Sequence, residues 1–308
     1  MLYKLPKVLR IEPASQCNLR CLHCPTGTMS MSRNVMSNNV EEEVLKNIEK
    51  NSKFFKVCVL YHGGEPLLNY NFVKLLEKIR AILKHAKIKT VSNGMLLNKK
   101  KSIELANSGL DEIEFSLDAQ SINESNLIRR NSNARMIIEK IKELLKIVKS
   151  ENSKLKIRLS TSQFLNPELK INPLETNPLP PKWLEDELPK IDIIKTCWAM
   201  KWPHYNTPEI FQELTIDSKS VDYCDHVENT ITVRSNGDVV PCCYDLTSQL
   251  VMGNITENSL EEIWNGSLYN NLREEIKKKD YNPTCSNCNV VANRKVFLSL
   301  NKSFKNTN

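Results

Sequence analysis

Between residues 8 and 195, short β-rich runs alternate with amphipathic helical stretches, and this alternation limits the possible folds most strongly. Helical patterns lie at about 38–51, 70–86, 98–108, 121–130 and 133–150. The β-rich runs between them are VLRIEP (8–13), VCVLY (57–61), IKTVS (88–92), EIEFSL (112–117), LKIRLST (155–161) and IDIIK (191–195). Strand–helix alternation predicts βαβ units and a parallel sheet. Six such units, rather than the eight of a closed barrel, predict an α/β fold with a partial (β/α)6 barrel.

The chain departs from this pattern after the fifth run. Residues 166–189 contain six prolines, so the last crossover is expected to be a broken helix or a loop. Residues 197–222 lack clear periodicity and are predicted to be a linker. In TITVRSNGDVVPCC, Asn236-Gly237 predicts a β-hairpin, because the tight turn of a hairpin requires positive φ at both central residues and Asn-Gly adopts it readily. ENSLEEIWNGSLYNNLREEIKKK predicts a helix that opens at Asn258 or Ser259, with a glutamate three residues later.

Composition excludes several classes of protein. The net charge of +7 comes mostly from lysines scattered along helical segments, which predicts solvated helix faces rather than a nucleic-acid patch. No apolar run approaches the ~20 residues that a membrane span requires. The N-terminal MLYKLPKVLRIEP has no apolar signal core. We therefore expect no nucleic-acid partner, no membrane association and a cytoplasmic location.

Ten cysteines are many for a cytoplasmic chain. In a reducing compartment, clustered cysteines indicate metal or redox chemistry rather than disulfides. Eight of the ten fall into two groups, one near each end of the chain, and only Cys58 and Cys197 stand alone.

The N-terminal group is Cys17, Cys21 and Cys24, a C-x3-C-x2-C run directly after the first predicted strand. This position is the first βα loop, at the edge of the barrel where α/β active sites are built. Structural zinc sites close with four ligands, whereas three thiolates on one loop suit three irons of a [4Fe–4S] cluster and leave the fourth iron open. His23 lies inside the loop, and we expect it to pack over a bound ring, with a ligand role as the alternative.

Further motifs at the following strand ends complete a pattern. YHGGEPLLN follows the second strand, VSNG ends the third with Ser92 where a threonine is usual, and SLDA ends the fourth. Together with C-x3-C-x2-C, these segments resemble the radical S-adenosylmethionine (SAM) superfamily, whose motifs are GGEP, T-N-G and S-L-D. The resemblance spans nearly the whole chain.

The resemblance implies that SAM chelates the open iron and that its binding site is built from these motifs. It implies that backbone at Gly63 and Gly64 approaches the methionine amino group, with Glu65 and Pro66 in the same segment. Ribose or methionine contacts are expected from Asn93, Ser116 and Asp118. Arg158 is expected either to meet the SAM carboxylate or to form a salt bridge elsewhere.

The C-terminal group resembles the SPASM/twitch extension, which holds auxiliary iron–sulfur clusters. VRSNGDVVPCC, GNITENSLEEIWNG and CSNC match it in order. The resemblance implies one auxiliary [4Fe–4S] cluster on Cys224, Cys242, Cys285 and Cys288, and a zinc ribbon on the same four is the alternative. No cysteine follows Cys288, so a second auxiliary cluster is not expected.

The remaining cysteines receive separate interpretations. Neighbouring strand residues point to opposite faces, so Cys243 is not expected to share a cluster with Cys242. Cys58 is expected to be an ordinary buried thiol. Cys197, at the end of the last predicted strand, is the candidate catalytic cysteine that faces substrate, and core packing is its alternative.

The implied activity is that of a radical SAM oxidoreductase-type enzyme. SAM is reductively cleaved to a 5′-deoxyadenosyl radical, which abstracts a hydrogen atom from substrate. A closed auxiliary cluster suits electron transfer, which favours oxidation or a related modification of a small molecule such as a sugar, cyclitol or nucleoside. The expected reductant is flavodoxin or ferredoxin.

Two other functions stay open. One is a peptide maturase that modifies a ribosomal precursor peptide, although only about seven residues precede the first strand. The other is a non-enzymatic iron–sulfur or zinc-binding protein, against which the GGEP and SLDA segments argue. The expected organisation is a barrel over 1–196, a linker over 197–222, a small C-terminal β-hairpin-plus-helix cluster-binding domain over 223–298 and a disordered tail over 299–308.

Overall fold

The computed structural model describes residues 3–168, 171–191 and 193–301. Its strands are β1 Val8–Ile11, β2 Arg20–Cys21, β3 Val57–Val59, β4 Lys87–Ser92, β5 Glu112–Ser116, β6 Arg129–Arg130, β7 Lys156–Gln163, β8 Ile193–Trp198, β9 Phe211–Asp217, β10 Thr230–Val233, β11 Asp238–Val240, β12 Gly253–Asn254 and β13 Arg294–Leu300. Its α-helices are α1 Pro25–Thr28, α2 Asn38–Asn51, α3 Phe72–Ile82, α4 Lys99–Asn107, α5 Ile122–Ile128, α6 Ala134–Ser150, α7 Lys182–Glu187, α8 Asp225–Asn229, α9 Leu260–Asn265, α10 Ser267–Lys278 and α11 Pro283–Ser286.

Within the described ranges, the main sheet has the strand order β12-β11-β10-β1-β3-β4-β5-β7-β8. All pairings from β10 through β8 are parallel, and only β11 and β12 run antiparallel to their neighbours. The six strands expected from the sequence are all present. The α/β partial barrel is therefore confirmed.

The two faces of the sheet differ in chemistry. One face packs against the helices, and Leu9, Ile113 and Ile231 from three of its strands are fully buried in the same apolar cluster. Successive strand residues alternate between faces, so Arg10, Glu12 and Thr232 point into the concave side of the barrel. That side is polar, as expected for the wall of a site.

Helix positions follow from their caps and apolar stripes. The side chain of Ser37 accepts a hydrogen bond from the backbone of Val40 and so begins α2. The predicted apolar stripe of α6 is buried at Ile137, Ile141 and Leu144. Each of these helices can return the chain to the start of the next parallel strand.

The C-terminal hairpin joins the main sheet, a feature that the sequence did not indicate. β10 pairs with β1 in parallel over four residue pairs, from Val8–Thr230 to Ile11–Val233. The first strand therefore lies between β3 and a strand from the far end of the chain. The predicted division of the chain into four segments stays a prediction.

Several local expectations are corrected. The hairpin turn has three residues rather than two: Arg234 N–H donates to Asp238, and only Gly237 within the turn has positive φ, at 91°. A type I turn followed by a left-handed residue produces this geometry. The predicted C-terminal helix does open with the Ser259–Glu262 capping box, but it breaks at Gly266 into α9 and α10.

The predicted linker and tail also contain structure. β9 lies inside the linker segment and pairs with β13 over seven residue pairs. β13 extends through Leu300, so the first two residues of the predicted tail belong to a strand, because β9 supplies a partner that is remote in sequence. Residues 302–308 lie outside the described residues. The last crossover is a loop with the short helix α7, as expected.

Because β10 is part of the main sheet, we predict that Ile231→Ala destabilises the whole barrel. Ile231 is fully buried, and such truncations cost about 2–5 kcal/mol in unfolding free energy. Denaturant unfolding followed by circular dichroism and tryptophan fluorescence should show one transition at lower denaturant. Ile103→Ala, at a side chain 37% exposed, should change the unfolding free energy by under about 0.5 kcal/mol. A separate early transition of the C-terminal part would contradict the prediction.

Candidate active site

The three N-terminal cysteines lie on the loop that follows β1, as expected. β2 within this loop pairs with β6, which places Cys21 opposite Arg129. Cys24 precedes α1, where Pro25 occupies the first helical turn and fixes the chain direction. Cys17 Sγ accepts a hydrogen bond from Leu19 N–H at 3.5 Å. The loop is thus held by its own backbone and by β6.

One cavity collects most of the predicted site. Its lining includes the three cysteines and six of the nine predicted SAM-contact residues: His23, Gly63, Gly64, Glu65, Asn93 and Ser116. Tyr61 and Arg129, which the sequence analysis did not single out, line it as well. Loops from four strand ends therefore meet at one place, as the motif order indicated.

Gly64 allows the second strand's loop to approach the cysteine loop. A Cβ atom at position 64 would lie 2.2 Å from the carbonyl oxygen of Ala14 and 2.4 Å from that of Gln16. Gly63 is less constrained, because its added Cβ would meet only side chains, at 3.1 Å or more. The Glu65 N–H donates to the Gln16 carbonyl at 2.8 Å and fastens the two loops.

Glu65 connects the second strand's loop to the third. Its carboxylate accepts hydrogen bonds from the Ser92 hydroxyl and from Asn93 N–H, both at 2.8 Å. Ser92 therefore fills the position that is usually threonine and keeps the hydroxyl. Asn93 is held with its amide 2.8 Å from Asn18 Oδ1 and 3.9 Å from Cys17 Sγ. The motif residue Glu65 acts here as a support for the loops.

Asp118 is buried and ion-paired. Arg129 Nη1 lies 2.5 Å from its carboxylate, and His23 Nε2 lies 3.5 Å away. Burial opposes ionisation of Asp118, but Arg129 and His23 outweigh it and lower the pKa of the carboxyl. Arg129 was missed because its segment was predicted to be the end of a helix, whereas α5 ends at Ile128.

The outcome for the other predicted SAM contacts varies. Pro66, Asp118 and Arg158 are not among the described residues that line the cavity. Asp118 reaches the cavity through Arg129. Arg158 Nε lies 3.3 Å from Glu112 Oε2, and its contact with SAM stays a prediction. The His23 ring meets Phe164 edge-on at 5.8 Å.

Glu12 connects the two halves of the chain, and no motif pointed to it. This fully buried carboxylate accepts from Gly63 N–H at 2.9 Å and Ser235 N–H at 3.1 Å, and it lies 3.3 Å from Arg234 Nε. Burial opposes its ionisation, but His62, Arg234 and these donors lower its pKa overall. One carboxylate thus fixes β1, the glycine-rich loop and the hairpin.

The four C-terminal cysteines lie near one another. Cys288 is within electrostatic range of Cys224, Cys242 and Cys285. Burial raises the pKa of Cys285 to about 12 and of Cys288 to about 11. These thiols therefore stay protonated until a metal displaces the protons. Cys288 Sγ also accepts a backbone N–H from Val290 at 3.5 Å.

The three remaining cysteines differ in environment. Cys58 is fully buried in the apolar core, which confirms its interpretation as a buried thiol. Cys197 lies on β8 with its sulfur 3.6 Å from the Ser162 hydroxyl. Cys243 Sγ lies 3.8 Å from His226 Nδ1. Burial opposes ionisation of Cys243, but His226 and Arg10 outweigh it and lower its pKa to about 7.

Both cysteine groups suit iron–sulfur clusters. The N-terminal loop offers three thiols beside Gly63 and Gly64. The buried His23 Nδ1 and Arg129 Nε lack a hydrogen-bond partner among the described residues. The C-terminal group offers four thiols. Among the described residues, no three His, Cys, Asp or Glu side chains surround a single-ion site. These features define an α/β protein with two groups of clustered cysteines, one of three and one of four.

Family comparisons identify the protein more closely. The Radical SAM superfamily profile matches residues 11–162, and the profile of the SPASM iron–sulfur cluster-binding domain matches residues 224–289. The chain belongs to the radical SAM superfamily of enzymes and carries a SPASM domain. Its cofactors are therefore SAM and [4Fe–4S] clusters.

Curated relatives cover different parts of the chain. The tungsten-containing aldehyde ferredoxin oxidoreductase cofactor-modifying protein of Pyrococcus furiosus is 24% identical over 92% of this chain and 87% of its own. GTP 3',8-cyclase of Thermodesulfovibrio yellowstonii is 33% identical, but over only 40% of this chain and 38% of its own. The match to the cyclase therefore spans well under half of either protein.

Solved structures show the same fold. BtrN in complex with AdoMet and 2-DOIA has a TM-score of 0.60 at 18% identity, covering 93% of this chain and 94% of that one. Streptococcus suis SuiB bound to precursor peptide SuiA has a TM-score of 0.61 at 17% identity, covering 94% and 73%. Across the described ranges, no helix has both the length and the apolar character to cross a membrane.

We predict that Gly64→Ala damages the site far more than Gly63→Ala. The new methyl group at 64 would lie within 2.4 Å of two backbone carbonyl oxygens, whereas at 63 the nearest atom, Glu12 Oε1, would be 3.1 Å away and the overlap smaller. SAM binding to the reconstituted protein, measured by equilibrium dialysis, should weaken by about tenfold or more for Gly64→Ala. The loss for Gly63→Ala should be smaller, and equal losses would contradict the prediction.

Proposed function

We propose that this radical SAM enzyme oxidises or otherwise modifies a small molecule, such as a sugar, cyclitol or nucleoside. The observation that carries the proposal is the meeting of Cys17, Cys21 and Cys24 with the glycine-rich loop in one cavity. When bound there, a reduced cluster and SAM supply a radical that can remove a hydrogen atom from an unactivated C–H bond. The chain's own residues bind, orient and enclose these groups.

Each side chain of the site receives a proposed task. The three cysteines hold the cluster through three irons, and the SAM amino acid group completes the fourth. Backbone at Gly63 and Gly64 contacts the methionine end, and Asn93 and Ser116 contact the methionine or ribose. The ion pair of Asp118 and Arg129 supports the adjoining wall, since each partner is buried and would be unpaired without the other.

The auxiliary site receives an electron-transfer role. We assign one [4Fe–4S] cluster to Cys224, Cys242, Cys285 and Cys288. Four protein ligands leave no iron open, so this cluster suits electron transfer from a substrate radical rather than substrate binding. Loss of a hydrogen atom, followed by loss of an electron to this cluster and of a proton to solvent, would be a two-electron oxidation of the substrate. Flavodoxin or ferredoxin is the proposed reductant, and the net charge of +7 suits an acidic donor.

Two similarities support a small substrate. BtrN, whose structure contains AdoMet and 2-DOIA, matches this chain over nearly its whole length, at 94% of that chain. The Pyrococcus relative, named as a cofactor-modifying protein, also matches over most of its length. SuiB, solved with its precursor peptide, matches over 73% of its length. A peptide substrate is therefore the second candidate, which the experiment below distinguishes.

We predict that the two cysteine groups hold separate clusters with separate roles. After anaerobic reconstitution the chain should contain about eight irons, and Cys285→Ala with Cys288→Ala should leave about four. Replacing Cys17, Cys21 and Cys24 with alanine should abolish formation of 5′-deoxyadenosine, measured by chromatography. Cys58→Ala is the matched control and should keep both iron content and cleavage. Cleavage in the triple variant, or bound zinc in place of iron, would overturn the assignment.

Isotope transfer would identify the substrate class. Source cells grown in deuterated medium give an extract that can be separated into small-molecule and peptide fractions. Because the enzyme removes a hydrogen atom from substrate, the fraction that contains the substrate should deliver deuterium to 5′-deoxyadenosine, measured by mass spectrometry. We expect transfer from the small-molecule fraction. Transfer from the peptide fraction alone would replace our proposal with peptide modification.

A further inference from the structure

Arg10 is a buried arginine inside the barrel that has no carboxylate counter-ion among the described residues. It lies in β1 on the concave face, and 8% of its surface is exposed. Among the described residues, none accepts a hydrogen bond from its Nε or Nη1. Burying a charge without a partner is costly, so proteins normally pair such groups or leave them for a ligand.

Three other arginines on this side of the structure are paired with carboxylates. Arg234 Nε lies 3.3 Å from Glu12, Arg129 lies 2.5 Å from Asp118, and Arg158 Nε lies 3.3 Å from Glu112. Within the described ranges, no carboxylate stands within 4 Å of Arg10. Arg10 therefore differs from these three arginines in having no carboxylate beside it.

Polar side chains surround Arg10, and we call Arg10, Thr232, Tyr61 and Lys195 together the polar chamber. Thr232 on β10 is the partner of Arg10 in the sheet register, is fully buried and has no hydrogen-bond partner for Oγ1 in the described part of the chain. The Tyr61 ring lies 5.8 Å from the guanidinium carbon. The Tyr61 hydroxyl is also within electrostatic range of Lys195 on β8 and of two acidic groups, Glu114 and Cys243. Arg10 and Thr232 thus each have a polar atom without a partner in the described part of the chain, close to Tyr61.

The chamber lies between the two cysteine sites. Tyr61 lines the N-terminal cysteine cavity, and Cys243 directly follows a proposed ligand of the auxiliary cluster. Cys243 and His226 are both within electrostatic range of Arg10. A molecule held here would stand between the proposed radical source and the proposed electron acceptor.

We propose that Arg10, with Thr232 and Lys195, forms a subsite for an anionic group of the substrate, either a carboxylate or a phosphate. The proposal rests on the function proposed above and narrows its substrate class to acidic small molecules. The planar guanidinium presents N–H donors that match both oxyanions, and the Thr232 hydroxyl supplies a further donor. The exposed Lys195, which is within electrostatic range of Tyr61 and Cys243, adds positive charge. The anion would neutralise Arg10 and fix the orientation of the substrate.

The test uses inorganic phosphate and acetate as probes on the anaerobically reconstituted protein. A ligand that binds only the folded state raises the melting temperature, so either probe should stabilise the wild-type chain relative to chloride at equal ionic strength. Stabilisation by phosphate alone indicates a phosphate group, and stabilisation by acetate as well indicates a carboxylate. Arg10→Met should weaken the binding by about tenfold or more, and Arg10→Lys should weaken it less.

The melting temperature of Arg10→Met also tests whether a group of the folded chain already stabilises the Arg10 charge. Without added anion, Arg10→Met should melt at a higher temperature than the wild type, because it replaces an unpaired buried charge with an apolar side chain of similar length. A lower melting temperature would show that the folded chain itself stabilises Arg10 and would overturn the proposal. Unchanged phosphate and acetate binding in Arg10→Met would overturn it as well.

Arg273 provides a matched control. It is also buried, and its Nε and Nη2 lack a hydrogen-bond partner among the described residues. Its Nε nevertheless lies 3.8 Å from Glu228 Oε2, and its guanidinium lies 4.3 Å from the rings of Tyr3 and Trp264 and donates to the Trp264 carbonyl at 3.0 Å. Arg273→Met should therefore lower the melting temperature and leave the anion effect intact. The assay needs no SAM cleavage, so failure of the anion subsite and failure of the proposed enzymatic function give distinguishable results.

Discussion

The buried carboxylate of Glu12 is the interaction on which the rest of the site depends. It accepts hydrogen bonds from the glycine-rich loop and from the turn of the C-terminal hairpin, and it pairs with Arg234. Each partner is itself largely buried, so none of these bonds can be exchanged for water without cost. Together with the pairing of β1 and β10, this charged group therefore positions the cysteine loop, the glycine-rich loop and the SPASM domain relative to one another.

In the proposed function, the two cysteine groups divide the chemistry between them. We propose that three thiols on a loop with a tightly packed glycine at position 64 leave room for an external ligand, whereas four thiols close around a second cluster. The polar chamber between them contains Arg10, Tyr61 and Lys195, and Nε and Nη1 of Arg10 have no acceptor among the described residues. A barrel whose inner wall is charged and whose outer face is apolar can change substrate without changing its core.

Patterns formed by residues close together in the sequence were sufficient to predict the barrel and most of the predicted residues that line the cavity. Strand periodicity and the motifs at strand ends predicted the parallel sheet and placed His23, Asn93 and Ser116 together. Most of the missed features depend on residues that are distant in sequence. Arg129 becomes a site residue only because β6 pairs with β2, and the strand inside residues 197–222 exists only because β13 pairs with it. The hairpin turn was misjudged because Asn-Gly fits both two- and three-residue turns.

The parallel pairing of β1 with β10 also has a consequence for synthesis of the chain. Glu12 and Arg234 are separated by 222 positions, so the ribosome completes the cysteine loop long before the strand and the arginine that cover its flank. During that interval β1 has a free hydrogen-bonding edge, and the Glu12 carboxylate lacks its main counter-ion. Contacts of such long range form slowly. Insertion of the first cluster is therefore expected after translation ends, when the last third of the chain has closed the sheet.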